Sequence, residues 1–107
     1  QAQSTLQRLA QVLQQPVAQD YEVRVVGHTD AVRIANPQTR QRHPNNWYLS
    51  AHRAITVRDV LENAGIQPTR LGVAGYGEYR PVAQNDARGQ SEANRRVEIY
   101  LVQMPGS

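Results

Sequence analysis

The chain has 107 residues, no cysteine and a formal net charge of +3, and all 12 of its basic residues are arginine. That length gives one domain without room for a second core, and the lack of cysteine removes disulfides and thiolate metal sites. With 39% hydrophobic and 20% charged residues the composition is globular, no apolar run approaches the ~20 residues that span a bilayer, and the positive charge is too dispersed for a nucleic-acid-binding stripe.

In chain order, Gln1 to Gln15 carries Leu6, Leu9, Ala10 and Leu13 at helical spacing, with Ser4 placed as an N-cap and Pro16 as the stop. Tyr21 to Gly27 reads as a strand through its β-branched Val23, Val25 and Val26. His28 to Asn46 is polar and broken by Pro37 and Pro44, which predicts a long loop of the kind that carries function. A second helix follows to Ala64, with Trp47, Ala51, Ala54, Val57 and Leu61 as its buried stripe. Gly65 followed by Ile66 is a C-terminal signal. Arg70 to Gly75 reads as a strand closed by the turn Gly75-Tyr76-Gly77-Glu78, and Pro81 to Gln90 as loop. Ser91 to Arg95 reads as a short helix, and Arg96 to Val102 as the last strand, with Val97, Ile99 and Leu101 on one face. Met104 to Ser107 is expected to fray. Strands separated by helices predict an α/β (α+β) two-layer sandwich, with helices on one face of a mixed sheet.

Three clusters carry chemistry. Gly27-His28-Thr29-Asp30 ends the first strand, where open α/β sheets tend to bind ligands. Asn46, Leu49 and Arg53 stand at i, i+3 and i+7 and share one helix face. Asn94-Arg95-Arg96-Val97-Glu98 enters the last strand. A carboxylate and a guanidinium in one crevice suit a zwitterion, the Asp taking an ammonium and the Arg forking a carboxylate. Each residue also has a plainer reading: Asp30 as the cap of the following turn, Arg53 as a solvated helix residue, Trp47 as core.

In order and spacing, Gly27-His28-Thr29-Asp30, Asn46-Trp47-Tyr48-Leu49-Ser50-Ala51-His52-Arg53-Ala54, Gly75-Tyr76-Gly77-Glu78 with Pro81-Val82, and Asn94-Arg95-Arg96-Val97-Glu98-Ile99 resemble the OmpA-like C-terminal domain family. The likeness spans about residues 5–102 of a single domain over 1–107, and the long loop before Asn46 resembles the MotB flagellar-stator branch. It implies non-covalent binding of peptidoglycan through the diaminopimelate end of the stem peptide, with Asp30 and Arg53 as the charged pair. Thr29, Asn46 and Leu49 then line or shape the pocket, and Asn94 and Arg96 lie beside it. Arg96 is separately expected to make a structural ion pair near the pocket, with Asp30 as a candidate partner. The implied setting is the periplasm, in a membrane-anchored parent protein, with no cofactor or metal and with a homodimer allowed. An outer-membrane tether of the OmpA or Pal type and a protein-interaction module are the alternatives. The family usually opens with a strand ahead of the first helix, and no strand pattern precedes Leu6.

An enzyme is not expected, since no nucleophile–base pair stands out. A wall hydrolase would need a carboxylate pair, and Asp86 and Glu92 are the nearest candidates. His28, Asp30, His43 and His52 match no zinc spacing.

Overall fold

The computed structural model describes residues 2–105. Helix α1 runs Ala2–Leu13. Ser4 therefore lies inside the helix rather than capping it, because Ala2 and Gln3 are sound helix formers and nothing ahead of the apolar stripe breaks it. The helix start expected at Gln1 falls outside the described residues. Ala10 and Leu13 are buried, and Leu6 and Leu9 pack partly against the same core. Pro16–Ala18 then makes one 3-10 turn.

Strand β1, Tyr21–His28, lies at the centre of a three-stranded sheet between β2, Leu71–Gly75, and β3, Arg96–Gln103. β1 pairs parallel with β2, Val23 opposite Leu71 and Gly27 opposite Gly75. It pairs antiparallel with β3, Tyr21 opposite Gln103 and His28 opposite Arg96. Val23 and Val25 are fully buried with Ala54, Leu61 and Ile66 beneath the helices. The result is the two-layer α+β sandwich on a mixed sheet that the element order predicts. The tail is less free than expected: the Met104 N–H donates to the Asp20 carbonyl at 3.0 Å. Gly106 and Ser107 lie outside the described residues.

Helix α3, Asn46–Asn63, crosses β1 and β2. It ends in a paired motif in which the Gly65 N–H bonds Glu62 O and the Ile66 N–H bonds Leu61 O. Gly65 takes φ +115°, open only to glycine at little strain. Ile66 buries its side chain beyond the turn. Arg70, buried at 5% exposure, donates to the carbonyls of Leu13 (2.8 Å), Ala18 (2.7 Å) and Tyr21 (3.1 Å), tying the end of α1 to the start of β1.

Gly27 and Gly75 sit side by side on neighbouring strands, and α3 rests on them. A Cβ on Gly27 would run into the Ser50 carbonyl, and one on Gly75 would lie 2.6 Å from the Ala51 nitrogen. Gly27→Ala should therefore cost at least about 2 kcal/mol through overpacking. A urea midpoint equal to the parent's would contradict this contact.

Candidate functional site

The close approach at Gly27 sets the first turn of α3 beside the segment leaving β1. Asn45 caps the helix, its side chain accepting from the Tyr48 N–H at 3.2 Å. Ser50 Oγ donates to Trp47 O at 3.0 Å and accepts from the Gly77 N–H at 2.9 Å, which fastens the β2 turn to α3. The Thr29 N–H bonds Gly77 O at 2.9 Å, so β1's end, the turn and the helix start form one block.

On this block lies a cleft of about 370 Å3 that brings together Thr29, Asp30, Asn46, Leu49 and Arg53. Thr29 is buried and its Oγ donates to Asp30 O at 2.8 Å. Asn46 Nδ2 faces Asp30 O (3.3 Å), Val32 O (3.1 Å) and Glu78 Oε1 (3.3 Å), pinning the backbone that carries Asp30. Arg53 is half-buried and makes no ion pair among the described residues.

Asp30 is 5% exposed. Its Oδ1 accepts the Val32 N–H at 3.2 Å, the turn cap of the plainer reading. Its Oδ2 accepts the Ser91 N–H at 3.1 Å and Arg95 Nη1 at 2.5 Å. Burial pushes the carboxyl's pKa up, but the Ser91, Arg95 and Val32 donors outweigh it and hold it below the ordinary aspartate value. Arg95 is thus the ion-pair partner of Asp30, while Arg96 does make the expected ion pair, but with Glu98. The 3-10 turn Glu92–Asn94, capped by Ser91, presents Arg95 to the cleft before β3 begins. The adjacent Arg96 opens β3 opposite His28 and faces the other side of the sheet. The doublet Arg95-Arg96 is visible in the sequence, but nothing in it tells which member reaches the aspartate.

Asn94 and Arg96 lie outside the cleft lining. Asn94 is buried, its Oδ1 accepting from Val82 N (2.8 Å) and Ala83 N (3.0 Å) and its Nδ2 donating to Ala83 O (2.9 Å), so it holds the 81–90 loop in shape. That loop reaches Asp30's neighbour through the Ala31 N–H to Gly89 O bond of 2.8 Å. Arg96 Nε donates to Glu98 Oε2 at 2.9 Å. Glu98 Oε1 meets His28 Nε2 at 2.9 Å and the Tyr100 hydroxyl at 2.8 Å.

The Arg96 hydrogen bond, against the cost of burial and helped by Tyr100 and His28, holds the Glu98 carboxyl down at about 2, from an ordinary 4.5. A depressed acid contributes stability that is whole above its unfolded value and is lost as pH falls through the folded one. Acid titration should therefore weaken the fold between pH 4.5 and about 2. Glu98→Gln should flatten that slope in urea unfolding across the same range, and an unchanged slope would show the network carries none of it.

The long loop is not structureless. Residues Pro37–Arg42 form helix α2, with Asn36 as N-cap accepting from Gln38 N and Thr39 N. Pro37 at the first helical position fits this start, a signal read above only as a breaker. The 31–45 strap is fastened to α3 by a 2.7 Å contact between His43 Nδ1 and His52 Nδ1. Burial, then the electrostatic influence of His52, Arg42 and Arg53, lowers the His43 pKa. Asn36 and Thr39 of the strap line the cleft.

Among the described residues no three His, Asp or Glu side chains gather where a metal could sit. Trp47 is not core: it is 49% exposed and stacks on Tyr79 at 5.0 Å, because it stands in the first turn of α3 beyond the end of the sheet. Asp86 holds a turn, its carboxylate accepting from Arg88 N and Gln90 N.

The chain is similar to several known proteins. Motility protein B of Bacillus subtilis is 37% identical over 79 residues, which is 73% of this chain but 29% of that protein. The crystal structure of the C-terminal domain of Helicobacter pylori MotB superposes with a TM-score of 0.79 at 28% identity, covering 96% of this chain and 73% of that one. The structure of the cell wall anchor of the Pseudomonas aeruginosa T6SS gives a TM-score of 0.73 at 36% identity, covering 94% of this chain and 65% of that one. Residues 1–95 match the OmpA family profile, and with its four motifs standing in order on this sandwich the chain belongs to the OmpA family.

Proposed function

We propose that this domain binds peptidoglycan without cleaving it, holding the free amino-acid end of a diaminopimelate stem peptide between Asp30 and Arg53. The observation that carries the reading is the placement of a charged carboxylate and an unpaired guanidinium on one cleft. An ionised carboxylate offers about four acceptor sites, and Asp30 has three donors in place. Oδ1, with one donor in place, keeps a lone pair that can accept from a ligand ammonium. Arg53 has its full fork for the ligand carboxylate. Thr29 and Asn46 keep Asp30's backbone in position, and Leu49 supplies an apolar wall.

The chain would then serve as a wall tether in the periplasm for a larger membrane-anchored envelope protein, in the manner of a flagellar stator. The likeness to motility protein B and to a structure described as a cell wall anchor supports this setting. None of the described helices is long and apolar enough to cross a membrane.

The test is calorimetric titration with a diaminopimelate stem peptide and with the same peptide blocked at its free amino-acid end. Heat from the free form alone is the expected result. Equal binding of both forms would overturn the zwitterion clamp, and binding of neither would overturn the ligand.

A further inference from the structure

The Asp30 cleft does not end at Asp30 and Arg53. A second cavity of about 410 Å3 adjoins it and shares Arg33, Ile34 and Asn46 as its wall. The strap adds Arg40 to this second compartment. Neither Arg33 nor Arg40 makes an ion pair among the described residues, and both are exposed. The one acid lining that compartment, Glu78, is engaged by Asn46 Nδ2 at 3.3 Å.

Around the two cavities stand four guanidinium groups, Arg33, Arg40, Arg53 and Arg95, against two carboxylates, Asp30 and Glu78. A zwitterionic head group has no net charge and leaves that excess uncompensated. An anionic group one compartment away from the head group would match it, and planar guanidinium forks favour carboxylates.

We infer that the strap arginines Arg33 and Arg40 form a second subsite that reads a further carboxylate on the same stem peptide. This rests on the stem-peptide reading above. It goes beyond it by making affinity depend on the amidation state of the peptide. Two groups have the required chemistry: the α-carboxylate of the γ-linked glutamyl residue, and the C-terminal carboxylate of the peptide.

The test uses three peptides, all with the free diaminopimelate end: unmodified, amidated at the glutamyl α-carboxylate, and amidated at the C-terminus. Titrated against the intact domain, one amidation should weaken binding by about tenfold, the loss of one charge-assisted contact. Which one does so identifies the carboxylate. In the double variant Arg33→Gln/Arg40→Gln that difference should shrink to within about twofold. Both changes lie on the exposed strap, so circular dichroism should match the parent. Equal binding of all three peptides by the parent would overturn the subsite and leave the Asp30/Arg53 clamp standing. Binding of none would overturn both. A difference that persists in the double variant would assign the discrimination to other residues and overturn the role of the strap.

Discussion

Arg70→Ala should destabilise the domain by roughly 3–5 kcal/mol, a large share of the ~5–15 kcal/mol that holds a domain of this size together. The side chain is buried and each arm of its fork is used on a different backbone carbonyl. Leu13 O lies in the last turn of α1, where carbonyls have no intrahelical partner, and Ala18 O ends the following 3-10 turn. Removing the guanidinium strands buried acceptors, each costing about 1–3 kcal/mol. Arg70→Lys should recover only part of the loss, because one ammonium cannot span three carbonyls on separate elements. Urea unfolding of the parent and both variants measures this. A loss below about 1 kcal/mol for Arg70→Ala would mean water replaces the guanidinium and the clasp contributes little.

Binding to purified sacculi should fall more than tenfold in both Arg53→Ala and Asp30→Asn, each removing a charge-assisted contact of about 1.5–3 kcal/mol. The two variants should separate in stability. Arg53 has no ion pair among the described residues, so its loss should leave the melting temperature unchanged. Asp30 anchors Arg95, Ser91 and Val32, so Asp30→Asn should also cost about 1–3 kcal/mol of folding stability. Co-sedimentation and thermal melts on the same preparations test both. If the two variants sediment with sacculi as the parent does, the clamp is wrong. If Arg53→Ala melts early, its effect on binding is structural.

The main elements, the mixed sandwich and the cluster of Thr29, Asp30, Asn46, Leu49 and Arg53 were legible in the sequence because they rest on local rules. A run of β-branched valines marks β1, the three-and-four spacing of Ala54, Val57 and Leu61 marks α3, and i, i+3, i+7 puts Asn46, Leu49 and Arg53 on one face. Four short motifs in order identify the family without any coordinates.

Tertiary structure alone decided the pairings. Arg95 reaches Asp30 while Arg96 turns to Glu98, because one ends a 3-10 turn and the next opens a strand whose side chains alternate between faces. Trp47 has the spacing of a core residue but stands past the end of the sheet, so it stacks on Tyr79 and stays half exposed. Arg70 looks like a surface arginine and is buried, since the carbonyls that solvate it come from residues 49 to 57 positions away. Periodicity reports which face a side chain shares with its neighbours in the chain. It carries no information on which distant carbonyl or carboxylate will meet it, and that is what shapes the cleft.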